Sequence, residues 1–148
     1  MGLLSTLKPY LFAIPTTHFM CILFGAPFFY DFAVTLLFSI WLSTLAVLPI
    51  SYATNGSITQ ILTMFFEQKC PNKQHEYWLW SSYGSLLGAW FSAFVIPLDW
   101  DRYWQRWPIP CVIGSIVGFL LGIAFNWSKT QLKRVNLPRT TRNSRKQV

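Results

Sequence analysis

The chain has 148 residues, of which 53% are hydrophobic and only 11% are charged, and its formal net charge is +7. A soluble domain usually carries about 25% charged residues. This deficit argues against a soluble globular protein and predicts a chain that faces lipid.

Four segments without Asp, Glu, Lys or Arg predict four membrane-spanning helices. Each segment has at least 22 residues, and the first covers positions 9 to 30, between Lys8 and Asp31. A spanning helix needs about 20 mostly apolar residues. Four buried helices of a soluble protein are disfavoured, because a chain this short cannot bury them on all sides. The predicted fold is an all-α polytopic membrane domain at residues 1–128. Its spans are Tyr10–Phe29, Phe32–Tyr52, Tyr77–Pro97 and Ile109–Trp127.

The first predicted span is interrupted by Pro15, which is followed by Thr16, Thr17 and His18. Proline frees a backbone carbonyl, and nearby threonine hydroxyls can satisfy local polar groups. A histidine within lipid is a functional candidate. A hydrogen bond from His18 to another helix is favoured instead, since no second ionisable group shares its depth.

The loop between the second and third spans contains a helix signal. Ser57 as N-cap and Gln60 three residues later fit a capping box, and the apolar residues that follow predict a short helix on the membrane surface. The stretch CPNKQHEY is polar and predicts a turn. His75 and Glu76 are interpreted as a solvated face rather than a metal pair. The three cysteines, with no C-x-x-C pair, are predicted to be small buried residues rather than a disulfide or zinc framework.

Spans three and four carry small residues at intervals of four. Such spacing lets helix backbones approach closely in a membrane, so these spans are predicted to form a tight hairpin. The helix-packing glycines are Gly84, Gly88, Gly114, Gly118 and Gly122.

The tip of this hairpin, IPLDWDRYWQRWP (residues 96–108), combines charges with aromatic rings. On a helix, Trp100, Tyr103, Trp104 and Trp107 share one face, so the tip is predicted to be a short interfacial helix. An aromatic belt would explain the tryptophans. It does not explain two acids mixed with two arginines, which favour mutual pairing or pairing with a partner protein or a lipid phosphate.

Orientation follows from the basic tail. Residues 129–148 hold seven basic residues and no acidic ones, so the positive-inside rule places this tail, predicted to be disordered, in the cytosol. Four spans then place the N-terminus in the cytosol too, and the tip on the opposite side. Anionic lipid headgroups are favoured over nucleic acid as neighbours of the tail.

The stretch from Gly88 to Pro108 resembles the fingerprint of the PIG-F family, the small membrane subunit of glycosylphosphatidylinositol (GPI) anchor assembly. The family's pattern looks like G-A-W, a small pair, then I-P-L-D-W-D/E-R-P-W-Q-x-W-P. Tyr103 stands where the family has proline, and the family typically has six spans. The family-motif residues are Pro97, Asp99, Trp100, Asp101, Arg102, Trp104, Gln105, Trp107 and Pro108. The resemblance also covers Gly25-Ala26-Pro27 and Leu42-Ser43-Thr44.

The resemblance implies a non-catalytic, multi-pass subunit in the endoplasmic reticulum membrane, without cofactor or metal. It implies that the chain binds and stabilises large multi-span GPI ethanolamine-phosphate transferases. The alternative is a small lipid phosphotransferase that uses Asp99 and Asp101 for metal and Arg102 and Arg106 for phosphate. A transporter is disfavoured, since His18 is the one ionisable residue within a predicted span. Which transferase is bound, whether four spans suffice, and whether the tip contacts lipid, GPI or protein stay open.

Overall fold

The computed structural model describes residues 3–26, 31–96 and 102–135, and the side chains of Leu3, Trp104, Lys133, Arg134 and Val135 are not described. Within these ranges the chain is helical and contains no strand, which confirms the all-α class. The helices are α1 (Leu3–Leu23), α2 (Phe32–Ala46), α3 (Leu48–Ala53), α4 (Ile58–Glu67), α5 (Lys73–Ala93) and α6 (Ile109–Val135), with a 3-10 turn at Tyr103–Gln105.

One described helix is both long and apolar enough to cross a membrane. This is α6, over the 24 residues Ile109–Leu132, and α2 is a shorter apolar helix of 15 residues. Such a helix is compatible with a membrane protein. The number of spans and the side on which each terminus lies remain predictions.

Helix α1 passes through both of its prolines, Pro9 and Pro15, without interruption. The predicted break at Pro15 was therefore wrong. The Thr16 hydroxyl donates to the Phe12 carbonyl at 2.9 Å, and that of Thr17 donates to the Ala13 carbonyl at 3.0 Å. These hydroxyls bond backbone carbonyls one turn back in the same helix.

The predicted second span consists of two helices that meet at Val47. The backbone bonds continue across the junction, from Val47 to the Ser43 carbonyl at 2.9 Å and from Ser51 to the Val47 carbonyl at 2.8 Å. Pro49 in the first turn of α3 lacks an N–H to continue the pattern. The Ser82 hydroxyl of α5 donates to the carbonyl of Ala46, the last residue of α2, at 2.6 Å.

Helix α4 begins at Ile58 with Ser57 as N-cap, as predicted, but Ser57 makes no side-chain capping bond. The predicted capping box is therefore not formed. Ile61 and Met64 are buried, and they pack with Ile50 and Leu79 in one apolar cluster. Helix α4 thus packs its apolar face against α3 and α5.

Helix α6 begins at Ile109 as predicted, whereas α5 begins and ends earlier than predicted and α6 ends later. Helix α5 begins at Lys73, so the stretch read as turn-like is already helical from there. Helix α6 runs through the first seven residues of the predicted tail, 129–135, before the described range ends. Lys129 on α6 pairs with Glu76 on α5 at 3.2 Å, so Glu76 belongs to a helix–helix contact rather than a solvated face.

Helix α2 lies centrally in the arrangement. It contacts α1, α5 and α6, and α5 with α6 form the most extensive helix pair. The main apolar cluster joins all four helices through Cys21, Phe38, Ala89 and Cys111. This geometry brings the described part of the tip against the end of α2.

Candidate functional site

Helices α5 and α6 meet backbone to backbone along a glycine seam, formed by Gly84, Gly88, Gly114, Gly118 and Gly122. A Cβ atom added to Gly118 would lie 2.0 Å from the main-chain oxygen of Gly84. A Cβ on Gly88 would lie 2.1 Å from that of Gly114, and one on Gly122 would lie 2.2 Å from that of Trp80. Any larger residue must therefore push the two helices apart. The seam holds the tip at the end of a closely packed hairpin.

The described part of the tip, residues 102–108, is not the predicted helix. Tyr103–Gln105 form a single 3-10 turn, and Arg102 and Arg106 on either side are extended. The Gln105 side chain explains this shape, because its Oε1 accepts from the Arg102 N–H at 3.0 Å and its Nε2 donates to the Val95 carbonyl at 3.2 Å. Pro108 also disfavours a helical Trp107 before it.

Trp107 anchors the tip to α2 instead of lying on a shared aromatic face. Its indole N–H donates to the Thr35 hydroxyl at 3.1 Å. Its ring meets that of Phe38 edge to face, with centroids 5.3 Å apart. The prediction that Trp107 lies on one helical face with the other aromatic residues of the tip was therefore wrong. A ring whose N–H has a partner can be packed inside at little cost.

The outer side of the tip presents Arg102, Tyr103 and Arg106. All three are exposed, Tyr103 at 85%, and the Arg106 guanidinium lies 6.0 Å from the centre of the Tyr103 ring. Gln105 between them is 6% exposed and is committed to the internal bonds. The residues of this turn whose side chains are described thus divide into internal anchors and an exposed cationic and aromatic surface.

Four predicted site residues, Pro97, Asp99, Trp100 and Asp101, lie outside the described residues, and with them both acids of the predicted mutual pairing. The backbone of Trp104 lies in the 3-10 turn. Within residues 3–26, 31–96 and 102–135, no group of three or more His, Cys, Asp or Glu side chains is placed to hold a metal ion.

A buried polar stripe on α2 was not foreseen. Thr35, Ser39 and Ser43 are each 0% exposed, and the Thr17 hydroxyl of α1 contacts that of Ser43 at 2.9 Å. We call these four residues the hydroxyl seam. Thr35, Ser39 and Ser43 are spaced by four in the sequence, the same spacing as the small residues of the hairpin.

His18 joins the hydroxyl seam from α1. Its Nδ1 lies 3.3 Å from the Ser39 hydroxyl, and its ring meets Phe32 edge to face at 4.9 Å. The favoured prediction, a hydrogen bond to another helix, is confirmed. Trp41 makes a comparable link that the sequence did not suggest, donating from its indole N–H to the Ser115 hydroxyl of α6 at 3.1 Å.

An apolar cavity of about 350 Å³ lies between α1 and the hairpin, beside the tip. The ends of α1 and α5 nearest the tip form its two walls, and α2 lies between them. Trp107 and Cys111 also line it. Cys21 and Cys111 are buried, as predicted, and all three cysteines are free thiols.

The opposite end of the hairpin contains a polar cluster. The His75 Nε2–H donates to the Ala53 carbonyl at 3.1 Å, so His75 is part of a helix–helix contact rather than a solvated face. The Lys129 ammonium, paired with Glu76, lies 5.0 Å from the centre of the Trp80 ring. Cys70 is half-buried beside them, and burial raises the pKa of its thiol, with a smaller contribution from the Glu76 carboxylate.

Comparison with known proteins adds a family and several relatives. The model of the GPI biosynthesis protein family Pig-F matches residues 1–126. The chain is 32% identical to the mouse "GPI ethanolamine phosphate transferase, stabilizing subunit" over 80% of its own length and 57% of the mouse protein. It is 36% identical to "Glycosylphosphatidylinositol anchor biosynthesis protein 11" of Saccharomyces cerevisiae, over 76% of its own length and 44% of that protein.

A third relative is the "PIGF/3-ketodihydrosphingosine reductase fusion protein" of Schizosaccharomyces pombe. It is 42% identical over 68% of this chain, which corresponds to 20% of the fusion protein. The chain therefore spans a half or less of two of these relatives and 57% of the mouse protein. No solved structure matches it.

Proposed function

This chain belongs to the Pig-F family of GPI biosynthesis proteins, and from that premise we propose that it is a non-catalytic membrane subunit of GPI-anchor assembly. It binds a GPI ethanolamine-phosphate transferase and stabilises it. The observation that carries this proposal is the family match over residues 1–126, together with a relative that is named as the stabilizing subunit of such a transferase rather than as the enzyme.

The proposal includes a four-span arrangement in the endoplasmic reticulum membrane. Helix α1, with 21 residues, is about 31 Å long at about 1.5 Å per residue, close to the roughly 30 Å of a bilayer core. The backbone bonds that continue across Val47 support α2 and α3 as one spanning unit. The basic residues from 129 onward support cytosolic termini, which puts the tip on the lumenal side.

Within this arrangement, the tip is the proposed contact with the transferase. Trp104 and Arg102 are the residues that we expect to matter most, because tryptophan and arginine dominate the energetics of protein interfaces. Support comes from the division of the described tip into internal anchors and exposed residues. Gln105 and Trp107 fix the turn from inside, which leaves Arg102 and its exposed neighbours free to meet a partner.

The test is affinity capture of the tagged full chain from mild detergent, with mass spectrometry of the captured proteins. Trp104→Ala and Arg102→Ala are expected to reduce the captured transferase at least about tenfold, the loss that follows removal of an interface residue worth about 1.4 kcal/mol. Trp127→Ala and Lys8→Ala are matched controls, since both residues are exposed away from the tip, and they should leave capture unchanged.

Two results would contradict the proposal. One is undiminished transferase capture by both tip variants, which would exclude the tip as the contact. The other is transfer of ethanolamine phosphate by the purified chain alone, abolished by Asp99→Asn. That result would make the charged tip an active site.

A further inference from the structure

The tip is fixed by two side chains that reach in different directions. The Gln105 amide donates to the Val95 carbonyl just beyond α5 at 3.2 Å, whereas the Trp107 indole N–H donates to the Thr35 hydroxyl of α2 at 3.1 Å. We propose that Thr35 is a positioning residue for the partner contact and that, through Trp107, it sets the orientation in which the tip presents Arg106. This inference rests on the proposed function, because it assigns to α2 the presentation of the tip to the transferase.

The backbone of the tip couples Trp107 to the exposed surface. Arg106 is extended, with φ −66° and ψ 135°, and successive side chains of an extended segment project to opposite sides. Trp107 is accordingly half-buried against α2, while Arg106 is exposed, with its guanidinium 6.0 Å from the centre of the Tyr103 ring. A rotation of Trp107 away from α2 would therefore turn Arg106 with it.

The anchor on α2 is buried and restrains the indole at two points. Thr35 is 0% exposed, and its N–H donates to the Asp31 carbonyl at 2.9 Å in the first turn of α2. Phe38, three residues later, meets the Trp107 ring edge to face, with centroids 5.3 Å apart. An indole N–H turned away from its acceptor here would lose its partner at a cost in free energy. The hydrogen bond and the ring contact together select one orientation of Trp107.

The same turn of α2 is bonded to α1. The Ser39 hydroxyl donates its single proton to the Thr35 carbonyl at 2.8 Å, so the Ser39 oxygen accepts from the Nδ1–H of His18, 3.3 Å away. Hydrogen bonds thus run from α1 through the first turn of α2 to the tip. The orientation of the tip therefore depends on helices outside the hairpin.

A second bond of the same kind provides a matched control. Trp41 of α2 donates its indole N–H to the Ser115 hydroxyl of α6, also at 3.1 Å. Trp41 lies six residues beyond Thr35 in the sequence, which is about 9 Å along the helix at about 1.5 Å per residue. Both bonds join α2 to the hairpin, but the Trp41 bond does not end on the tip. Its loss should cost stability without turning the tip.

The first test measures the position of the tip in the purified full chain in nanodiscs. Spin labels attached through keto amino acids replace Tyr103 of the tip and Tyr52 of α3, which are 85% and 75% exposed. Pulsed EPR then gives the distribution of distances between them. Thr35→Val removes the acceptor of the bond and Trp107→Phe removes its donor, so each should broaden the distribution.

The control variants for this measurement are Trp41→Phe and Ser115→Ala. They remove the donor and the acceptor of the deeper bond and should leave the distance distribution unchanged. An unchanged distribution in both Thr35→Val and Trp107→Phe would overturn the proposal.

The second test is capture of the transferase at limiting amounts of the chain, with native Tyr103 and Tyr52. Thr35→Val should lower capture about threefold, the factor that corresponds to an average interhelical hydrogen bond, because a partner binds the fraction of molecules in the competent orientation. Thr35→Ser keeps the acceptor and should restore capture. The double variant with Trp107→Phe should lose no more than Trp107→Phe alone, since both changes delete the same bond.

An equal loss of capture in Trp41→Phe would overturn the proposal, because the Thr35 bond would then act as a general stabilising contact. Retained capture in Thr35→Val beside a loss in Arg102→Ala would also overturn it and leave the proposed function standing. If the proposed function fails, Arg102→Ala leaves capture unchanged, and the EPR comparison on the chain alone still decides whether Thr35 positions the tip. If Thr35→Val does not fold, Trp107→Phe carries both measurements.

Discussion

The two helix contacts that organise this protein are built in different ways. Helices α5 and α6 touch through their backbones, with a Cβ on Gly84 or Gly118 placed about 2.0 Å from the opposite carbonyl oxygen. Helices α1 and α2 are joined through side-chain hydroxyls, among them Thr17 and Ser43 at 2.9 Å. The first contact is made by glycine backbone without intervening side chains, whereas the second is made by hydrogen bonds between side chains.

This difference explains where space remains in the molecule. Glycine lets two helices approach until dispersion acts along the whole contact, and the α5–α6 hairpin is accordingly the most extensive pair. Hydroxyl links fix α1 to α2 at particular points while the side chains keep α1 away from α5. The apolar cavity lies in that separation. A closely packed hairpin and a more widely spaced helix thus leave an apolar space between them.

The largest expected effect comes from breaking the backbone contact. Gly118→Leu should separate α5 from α6, because even the first carbon of the new side chain has no room beside Gly84. We expect a cost at or above about 3 kcal/mol, the upper end for overpacking. The measurement is bismaleimide crosslinking between cysteines at positions 80 and 125, whose native rings lie 4.9 Å apart, in a background without the native cysteines.

The matched control for this change is Ala124→Leu, which enlarges an exposed position of α6 and should leave crosslinking intact. Gly118→Ala should reduce crosslinking by less than Gly118→Leu. Undiminished crosslinking in Gly118→Leu would show that the glycine contact does not hold the hairpin together.

A smaller effect is expected from the hydroxyl seam. Thr17→Val keeps the shape of the side chain and removes its bond to Ser43 on α2, whereas Thr16→Val removes a bond only to the Phe12 carbonyl of the same helix. Interhelical hydrogen bonds in membrane proteins average about 0.6 kcal/mol and reach about 1.7 kcal/mol. Thr17→Val should lower the free energy of unfolding in mixed micelles by that amount, and Thr16→Val by clearly less.

Equal losses in the two threonine variants would mean that the hydroxyls act within α1 and do not link it to α2. The contrast between the two helix contacts would then fail. A loss in Thr17→Val as large as that in Gly118→Leu would also remove the contrast, since both contacts would then depend on single positions to the same degree.

The sequence reveals the backbone contact more readily than the hydroxyl contact. Glycine inside a helix lowers its stability, so glycines at intervals of four in an apolar helix indicate close helix packing, and the hairpin could be predicted. Thr35, Ser39 and Ser43 have the same spacing, but serine and threonine also occur singly in apolar helices, where they bond to their own backbone. Their role depends on which helix lies opposite, and that is not visible in the sequence.

The tip shows a second limit of sequence reasoning. A helical spacing of aromatic residues predicted one aromatic face, but the bonds of Gln105 to both sides of the turn and the anchoring of Trp107 on Thr35 prevent a helix. These partners lie up to 72 residues away in the chain. The cavity has no local sequence signal, because its walls belong to separate helices.

The smallest expected effect lies at the opposite end of the hairpin, where the glycine contact gives way to the Glu76–Lys129 ion pair. Burial and the Glu76 carboxylate raise the pKa of the Cys70 thiol, and only the thiolate reacts with maleimides. Glu76→Gln removes a negative charge, so the pKa of Cys70 should fall and its alkylation at neutral pH should accelerate. The increase should stay below about tenfold, the change in thiolate fraction that one pKa unit gives.

This alkylation is measured with Cys70 as the only cysteine. Glu67→Gln is the control, because Glu67 pairs with Lys69 at 2.7 Å on the exposed end of α4 and does not contribute to the shift of Cys70. Alkylation that accelerates equally in both variants would indicate that the loop opens and not that a specific charge was removed. A response confined to Glu76→Gln would show that the charge of the Glu76 carboxylate acts on Cys70 within this polar cluster.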